Sequence, residues 1–457
     1  MAGGLKELKH YFHGGIHPAD GTDKLLSNQK PIYIYMPKII EVSMKQSPGS
    51  VCEAIVKAGD KVSRGDLIGV PKSFGGANIH AGISGTVIDV TTHPDSFDKD
   101  VEIIVIKSDE INDNNNAINS LRNYEEGIVD LSDYSRDDII AKMRDGGLTG
   151  LGGAGFPTHI KYETKKPIEY ILINAAECEP YLTCDHMLMK EHGYAIVNGV
   201  LLFVKAASAK KAIICLEDNK EDAFTALESI ISDKGLPIEI KILPTRYPQG
   251  GERQLVEAVL HMEVPAGQLP AKIGVLINNI GTAKALADIV LGDEPLISRV
   301  ITVTGNVKVP LNYLVPIGTR YSELIELSGG YTATKSRVIS GGPMTGSILQ
   351  IGGSHGDLSG SVIKISSGLL VLEDTPKEES PCIRCGECER VCPAGLAPFK
   401  IDFAAIDDDI KLCDKLYATE CISCGCCSYV CPAKRELAYR ITEAKTEIYK
   451  LRWESDD

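Results

Sequence analysis

Two cysteine runs near the end of the chain constrain its fold more than any other feature. Both have the spacing C-x2-C-x2-C-x3-C-P; one contains Cys382, Cys385, Cys388 and Cys392, and the other Cys421, Cys424, Cys427 and Cys431. In such runs three close-set thiolates ligate one cubane, and the fourth cysteine reaches the other cluster. The spacing therefore predicts two [4Fe–4S] clusters. One is held by Cys382, Cys385, Cys388 and Cys431, and the other by Cys421, Cys424, Cys427 and Cys392.

The crossed ligands predict that both runs fold as one ferredoxin-like domain, which we place at residues 370–445. The alternative is two structural zinc sites built from CxxC pairs. Zinc needs only two close pairs per site, so it explains neither the third spaced cysteine nor the proline after each run. Iron–sulfur clusters are favoured, and they indicate a protein that moves single electrons.

Length, charge and composition limit the partners and the cellular location that this electron carrier can have. The chain has 457 residues and a formal net charge of −14. That length allows about three or four domains, and the acidic balance argues against a nucleic-acid partner. No run of about 18 apolar residues is present, so no transmembrane helix is expected. The N-terminus lacks an apolar signal core, and thiolate-ligated clusters need a reducing compartment, so we expect a cytoplasmic location.

Hydrophobic patterning divides the rest of the chain into three parts. Residues 1–110 carry short apolar runs separated by turns, and they resemble a barrel-sandwich hybrid of the lipoyl and biotinyl type. Lys72 lies near the expected attachment position, but Pro71 and Ser73 do not fit a carrier motif, so we predict a structural module. After a polar linker at 109–116, residues 117–296 alternate strand-like and helical patterns, which predicts a Rossmann-like α/β domain. Short β runs return at 297–350.

A glycine-rich loop lies early in the predicted α/β domain. Residues 146–162 have the sequence GGLTGLGGAGFPTHIKY. Dense glycines let backbone amides approach a phosphate, and Lys161 adds a positive charge. The motif is neither a Walker A loop nor a regular GxGxxG motif. A phosphate cradle is favoured over a tight structural turn.

Three further polar segments stand at strand ends or open a helix. Residues 174–181 (NAAECEPY) and 278–282 (NNIGT) each follow an apolar strand pattern, and residues 247–254 (YPQGGERQ) precede a helical one. Ligands of open α/β sheets bind beyond the carboxyl ends of strands. The three segments are therefore candidates to line one pocket with the glycine loop.

These segments, in this order, resemble the flavin subunit of respiratory complex I. The whole chain resembles more closely the RnfC family, the C subunits of the membrane ferredoxin:NAD oxidoreductase called the Rnf complex. The opening FHGGIHP at residues 12–18, with Lys24 downstream, is similar to that family's first signature. The resemblance also implies an SLBB-type β-grasp module at 297–350. Thr149 and Leu151 replace arginines that are frequent in complex I, and Cys178 replaces a serine, which fits the Rnf pattern.

The resemblance implies site residues for FMN and NAD(H). The loop residues Gly150, Gly152, Gly153 and Lys161 are expected to hold the FMN phosphate and ribityl chain. Asn174, Glu177, Asn278 and Asn279 are expected to contact the flavin, with Gly251 and Glu252 nearby. Gly155 and Phe156 are expected to face NADH, and Glu179 to bind the nicotinamide or its ribose. No side chain is expected to act as an acid or base, since hydride transfer belongs to the cofactors.

The resemblance also implies that the chain is one subunit of a larger membrane complex. The chain is expected at the cytoplasmic face of the membrane as a peripheral subunit, with the other Rnf subunits and NADH as direct partners and ferredoxin as an indirect one. Two alternatives are a cobalamin reductase of bacterial microcompartments and a soluble flavin and iron–sulfur adaptor for an amino-acid reductase. A third is a non-catalytic electron carrier whose α/β domain has lost its cofactor. The long segment before the glycine loop favours the Rnf interpretation over the first.

Overall fold

The computed structural model of the chain describes residues 12–19, 21, 24, 30–47, 49–94, 100–109, 123–349, 358–375 and 378–456. Four bodies of secondary structure follow one another, each with its own buried apolar cluster. The linker predicted at 109–116 lies, apart from Asp109, outside the described residues.

The first body is a sandwich of two small antiparallel sheets. Strand orders are β2-β8-β7-β4 and β3-β5-β6, and side chains such as Val42, Ile68 and Ile104 from both sheets share one fully buried core. Lys72 is exposed directly after β5. The first eight strands are β1 (Tyr33–Ile34), β2 (Ile39–Ser43), β3 (Cys52–Ala54), β4 (Lys61–Val62), β5 (Leu67–Pro71), β6 (Ile79–His80), β7 (Gly85–Pro94) and β8 (Asp100–Ser108).

The second body is an α/β layer around a four-stranded parallel sheet of order β11-β10-β9-β12. Its strands are apolar along most of their length because helices cover them. The strands are β9 (Tyr170–Ala175), β10 (Lys211–Glu217), β11 (Ile238–Leu243) and β12 (Val275–Asn279). The helices are α1 (Asn123–Glu126), α2 (Arg136–Asp145), α3 (Thr158–Tyr162), α4 (Cys184–Glu191), α5 (Gly193–Ala207), α6 (Glu221–Lys234), α7 (Glu252–Leu260) and α8 (Ile280–Leu291), with a 3₁₀ turn at Pro270–Ile273.

The strand order of this sheet creates a crevice. The chain runs from β9 to β10 and β11 on one side and then returns to place β12 on the other side of β9. Connections leaving β9 and β12 therefore diverge, and such a switch point is where α/β sheets bind ligands. Asn174 and Asn279 pair in register at this point.

The third body is a six-stranded mixed sheet of order β1-β14-β13-β17-β15-β16, with α9 (Tyr321–Leu327) packed on it. It extends beyond the predicted boundaries of 297–350 at both ends. Strand β1, which the pattern assigns to the first module, pairs instead with β14, and β17 pairs with both β13 and β15. The strands are β13 (Ser298–Gly305), β14 (Leu311–Pro316), β15 (Ser336–Ser340), β16 (Ser347–Ile348) and β17 (Gly368–Glu373).

The fourth body contains both cysteine runs and is helical. Asp402 is fully buried and accepts hydrogen bonds from Arg435 at 2.6 Å and from Arg440 at 2.9 Å, which ties α11 to the last helix. The sequence pattern over Tyr439–Trp453 predicts a charged surface helix, and the helix observed there is slightly longer. The helices are α10 (Glu387–Arg390), α11 (Pro398–Ile406), α12 (Ile410–Lys415), α13 (Cys426–Tyr429) and α14 (Leu437–Asp456), with a 3₁₀ turn at Ala418–Glu420.

Candidate flavin site and cluster cavities

The glycine loop closes on itself and lies against the start of α8. Its base is held by Gly150 N donating to Phe156 O at 2.9 Å and by Gly155 N donating to Gly150 O at 3.2 Å. Leu151 N donates to Thr282 Oγ1 at 2.9 Å, which attaches the loop to the first turn of α8. The loop and a helix N-terminus thus meet, and this is the arrangement that binds anionic groups.

Two tip positions of the loop favour glycine for different reasons. A Cβ on Gly152 would stand 3.2 Å from the Asn279 Cβ, so the loop passes the strand end closely. Gly153 has φ +107° and open space where a side chain would be. The tip therefore exposes backbone in a conformation that other residues adopt at a cost.

Lys161 reaches the carboxyl edge of the sheet from α3. Its Nζ donates to Ile277 O at 3.1 Å and lies 3.2 Å from Glu252 Oε1. Glu252 opens α7, where a carboxylate complements the helix dipole. These contacts bring the glycine loop, β12 and the 247–254 segment to one place.

The asparagines at the strand ends are anchored by neighbouring segments. Asn174 Nδ2 donates to Gly250 O at 2.8 Å, and Asn278 Nδ2 donates to the Tyr162 hydroxyl at 2.6 Å. Asn279 is the N-cap of α8, because its Oδ1 accepts from Gly281 N at 2.8 Å. The amide groups are thus fixed in orientation before any ligand arrives.

Glu177 and Asp185 form an acidic pair behind this edge. The Glu177 carboxylate accepts from the first amides of α4, Asp185 N at 2.7 Å and His186 N at 3.1 Å. Asp185 Oδ2 accepts from Asn279 Nδ2 at 2.6 Å. Burial, and then the nearby Glu177 charge, raises the pKa of Asp185 to about 7. Sequence reasoning missed Asp185, which lies on a helix with no distinguishing motif.

Glu179 is held by a loop of the third body, residues 341–346. Its Oε1 accepts from Thr345 N and from Thr345 Oγ1, each at 2.8 Å, while burial raises its pKa. The same loop touches the cluster region, since a Cβ on Gly425 would lie 2.8 Å from Met344 O. The SLBB-like module therefore contacts both the 174–181 segment and the second cysteine run.

Several buried polar atoms of these segments have no partner within the described part of the chain. They belong to Thr149 in the glycine loop, Glu179 in the 174–181 segment, and Gln249 and Gln254 in the 247–254 segment; Gln249 is fully buried with both amide atoms unbonded. Unsatisfied buried polar groups need an explanation, such as a ligand or water. A polar cofactor with phosphate, hydroxyl and ring-nitrogen groups fits this donor and acceptor set.

Two small cavities in the fourth body are lined by cysteines. One is lined by Cys382, Cys385, Cys388 and Cys431, and the other by Cys392, Cys421, Cys424, Cys426 and Cys427. Apart from Cys426, these cysteines form the two crossed sets that the spacing predicts. The rest of the lining of the Cys392 cavity is apolar, while the lining of the Cys431 cavity also includes Arg384 and Arg435.

The two runs share one backbone geometry. Left-handed residues recur at matching positions: Arg384 and Ser423 lie two residues after the first cysteine of each run, and Gly386 and Gly425 lie four residues after it. Because the backbones match, equivalent amides donate to equivalent sulfurs in the two runs. Arg384 N donates to Cys382 Sγ and Ser423 N donates to Cys421 Sγ, both at 3.4 Å. Such hydrogen bonds adjust cluster potentials.

The cavity around Cys392 lies next to the candidate flavin site. Tyr247, which opens the 247–254 segment, donates from its hydroxyl to Cys424 O at 2.8 Å. Gln254 Nε2 donates to Pro393 O at 3.3 Å. Cys178 packs in the same apolar cluster as Tyr247 and Cys424, and burial raises its pKa to about 12. Cysteine at position 178 therefore fills the junction between the candidate flavin site and this cavity.

Comparisons with known proteins agree with this architecture. The model of the RnfC barrel sandwich hybrid domain matches residues 10–111, that of the Nuo51 FMN-binding domain matches 143–288, and that of the SLBB domain matches 300–347. The C subunit of the proton-translocating ferredoxin:NAD(+) oxidoreductase complex of Clostridium ljungdahlii is 36% identical over 85% of this chain and 82% of its own length. The Na(+)-translocating counterpart of Acetobacterium woodii is 38% identical over 96% of this chain and 98% of its own length.

This chain belongs to the RnfC family. The C subunit of the ion-translocating oxidoreductase complex of Rhodobacter capsulatus is a third relative, 36% identical over 85% of this chain and 74% of its own length. A looser structural match is the NAD+-reducing [NiFe]-hydrogenase in the H2-reduced state, with 20% identity, a TM-score of 0.48, and 68% and 63% of the two chains covered.

Family membership confirms the predicted family and fold class. It favours the Rnf interpretation over the cobalamin-reductase and soluble-adaptor alternatives, because the relatives are C subunits of ferredoxin:NAD(+) oxidoreductase complexes. Within the described ranges, no helix combines the length and apolar character that crossing a bilayer requires.

Proposed function

We propose that this chain is the NAD(H)-exchanging subunit of an ion-translocating ferredoxin:NAD oxidoreductase. It lies at the cytoplasmic face of the membrane as a peripheral subunit and passes electrons between NAD(H) and its partner subunits. Ion transport belongs to those other subunits. Electrons arrive from ferredoxin through the membrane part of the complex and leave as NADH.

One observation carries this proposal. The crevice between β9 and β12, where four predicted cofactor segments converge, adjoins the cavity lined by Cys392, Cys421, Cys424 and Cys427 through Tyr247 and Gln254. A site for a two-electron cofactor and a site for a one-electron cluster therefore share a wall. Neighbouring placement of this kind is what an electron relay requires.

The residues at the crevice have separable roles. Gly152 and Gly153 present backbone amides to a phosphate from the loop that Gly150 closes, and Lys161 supplies the positive charge once it exchanges its contact with Glu252. Asn174, Asn278, Asn279 and Glu177 form the wall for the flavin, beside Gly251 and Glu252. Bound FMN would supply the conversion between two-electron and one-electron transfer.

The outer part of the crevice is assigned to NAD(H). Phe156 is exposed over 38% of its surface, which leaves an aromatic face available for stacking. Gly155 beside it has φ +63° and passes closely over Ser47 of the first body. Glu179 is half-buried with one carboxylate oxygen unbonded among the described residues, and it orients the nucleotide as an acceptor.

The cavity that contains Cys431 lies at the end of the relay farther from the flavin site. Cys385 is exposed and the adjoining Ile383 is exposed over 68% of its surface. A cluster held by Cys382, Cys385, Cys388 and Cys431 is therefore the one that faces a partner subunit. The order is then flavin, inner cluster on the Cys392 set, outer cluster on the Cys431 set, and partner.

Anaerobic reconstitution of the full chain with iron, sulfide and FMN tests this function. We expect about eight irons and one FMN per chain, together with NADH oxidation by an artificial electron acceptor. A folded chain that binds the clusters but no flavin would establish the non-catalytic carrier instead. Zinc in place of iron would remove the basis of the proposal.

A further inference from the structure

Four charged side chains are buried together behind the 174–181 segment. Lys24 and Glu177 are each 4% exposed, and Lys220 and Glu217 are 0% and 1% exposed. Lys220 Nζ lies 3.0 Å from Glu217 Oε2, and Lys24 Nζ lies 3.9 Å from Glu177 Oε2. Two cations and two anions balance, so the group is neutral as a whole.

Lys24 also makes a backbone contact that charge balance does not explain. Its Nζ donates to the carbonyl oxygen of Glu177. Three residues earlier, Gly21 O accepts from Tyr181 N at 2.8 Å. The N-terminal strap, defined as residues 12–19, 21 and 24, thus holds the 174–181 segment at two points.

At both contact points the 174–181 segment has a backbone conformation that non-glycine residues rarely adopt. Glu177 has φ +46° and Tyr181 has φ +68°, so both are left-handed. Such conformations persist only where the surroundings fix them, and they gather at functional sites. The strap fits closely, because a Cβ on Gly21 would lie 2.4 Å from the Tyr181 ring.

The strap continues to the inner cluster cavity. Ile16 exchanges two backbone hydrogen bonds with Tyr247, at 2.8 and 2.9 Å, and Gly15 N donates to Val391 O at 2.8 Å. A Cβ on Gly14 would lie 2.7 Å from the backbone of Cys392. One short segment therefore contacts the 174–181 segment, the 247–254 segment and a predicted cluster ligand.

We propose that the N-terminal strap is a working part of the flavin site, and that Lys24 is a positioning residue that holds the left-handed turn at Glu177 in the shape that binds FMN. The inference rests on the proposed function. It assigns to the strap a role in cofactor binding, although the strap lies outside the α/β domain that carries the binding segments.

The test separates positioning from charge balance. Lys24→Met removes both the buried cation and the donor to Glu177 O. Lys24→Met combined with Glu217→Gln restores neutrality, because Glu177 and Lys220 remain, but it does not restore that donor. FMN affinity, iron content and the unfolding temperature are measured for both, for Glu217→Gln alone and for the exposed-lysine control Lys38→Met.

We expect FMN affinity to fall at least tenfold in Lys24→Met and to stay low in the double variant, while the unfolding temperature recovers. Recovery of FMN affinity together with stability would overturn the proposal, as would unchanged affinity in Lys24→Met. Gly21→Ala leaves the four charges intact and lifts the strap from Tyr181, so it is expected to weaken FMN binding as well, and unchanged binding would also overturn the proposal. If the unaltered chain itself binds no FMN, the proposed function fails instead.

Discussion

At the scale of single residues, side chains predicted to bind the cofactor already have structural partners. Asn279 caps α8, Glu177 caps α4, and Lys161 binds Ile277 O. Sequence analysis predicted these residues because amide, carboxylate and lysine side chains occur together in segments that follow predicted strands or that form the glycine loop. It did not predict that Asp185 anchors Asn279 or that Tyr162 anchors Asn278, because both anchors lie on helices whose side chains meet the strand ends only after folding.

Lys161→Ala is expected to weaken FMN binding about 10- to 100-fold, since a charge-assisted hydrogen bond contributes about 1.5–3 kcal/mol. Cluster content should stay unchanged, because Lys161 contacts only the α/β body. Fluorescence titration of FMN measures the effect, with the exposed Lys166→Ala as control. Loss of iron rather than flavin would contradict the assignment of the two sites to separate bodies.

Asp185 predicts a pH dependence of stability. Its pKa is raised to about 7 by burial and by Glu177, above its ordinary value of 3.8. Its contribution to stability is therefore complete below the ordinary pKa and is lost as the pH rises through about 7. Asp185→Asn should remove this loss, so the variant gains unfolding temperature over the parent as the pH rises from about 5 to 8. Parallel curves for the two proteins would show that the carboxyl group is ionised throughout.

At the scale of elements, the position of α8 decides where the glycine loop lies. A Cβ on Gly199 of α5 would stand 1.8 Å from Ala283 O of α8, so the two helices are in backbone contact. That contact fixes the N-terminus of α8, to which Leu151 is attached through Thr282. Helix packing thus determines the geometry of the candidate phosphate cradle.

Gly199→Ala is expected to destabilise the fold by about 3 kcal/mol, at the upper end of the cost of overpacking. FMN affinity should fall with it, because α8 shifts under the loop. Gly127→Ala, where a Cβ meets open space, is the matched control. Thermal unfolding and FMN titration of both variants measure the effects; unchanged unfolding of Gly199→Ala would show that α8 can move without cost.

Secondary-structure elements were predicted best where the signal comes from a few neighbouring residues in the sequence. The apolar run Ile238–Leu243 predicts a strand and the pattern at 252–260 predicts a helix, and strand β11 and helix α7 have these bounds, because an apolar run and a glycine pair define them. The sequence pattern also predicts helix over residues 186–206, where the structure has two helices, α4 and α5, separated at His192. Strands β1 and β17 joined an unexpected sheet, since pairing between distant segments leaves no periodic signal.

At the scale of the whole molecule, three bodies meet where electrons are proposed to pass. The strap, the 247–254 segment and the loop at 341–346 all contact the region between the crevice and the Cys392 cavity. Cysteine spacing predicted the clusters themselves, because ligand geometry is local. It could not place them beside the flavin site, since that depends on how separate bodies pack.

Crossed ligation makes a specific prediction for single cysteine variants. Cys431→Ser should disrupt the cluster on Cys382, Cys385 and Cys388, whose cavity it shares, and leave the cluster within its own run intact. About four of eight irons should remain, and electron paramagnetic resonance of the reduced protein should show one cluster signal. Loss of the cluster on the second run instead would mean that each run ligates its own cluster.

An anaerobic NADH titration of the reconstituted full chain, alongside Cys392→Ser, tests the proposed relay from end to end. Visible spectra follow the flavin, and electron paramagnetic resonance follows the clusters. In the unaltered chain we expect flavin bleaching together with signals from both reduced clusters. In Cys392→Ser we expect flavin bleaching with the outer cluster left oxidised, because the inner cluster is the link between them. Rapid reduction of the outer cluster by NADH in this variant would contradict the proposed order of the relay.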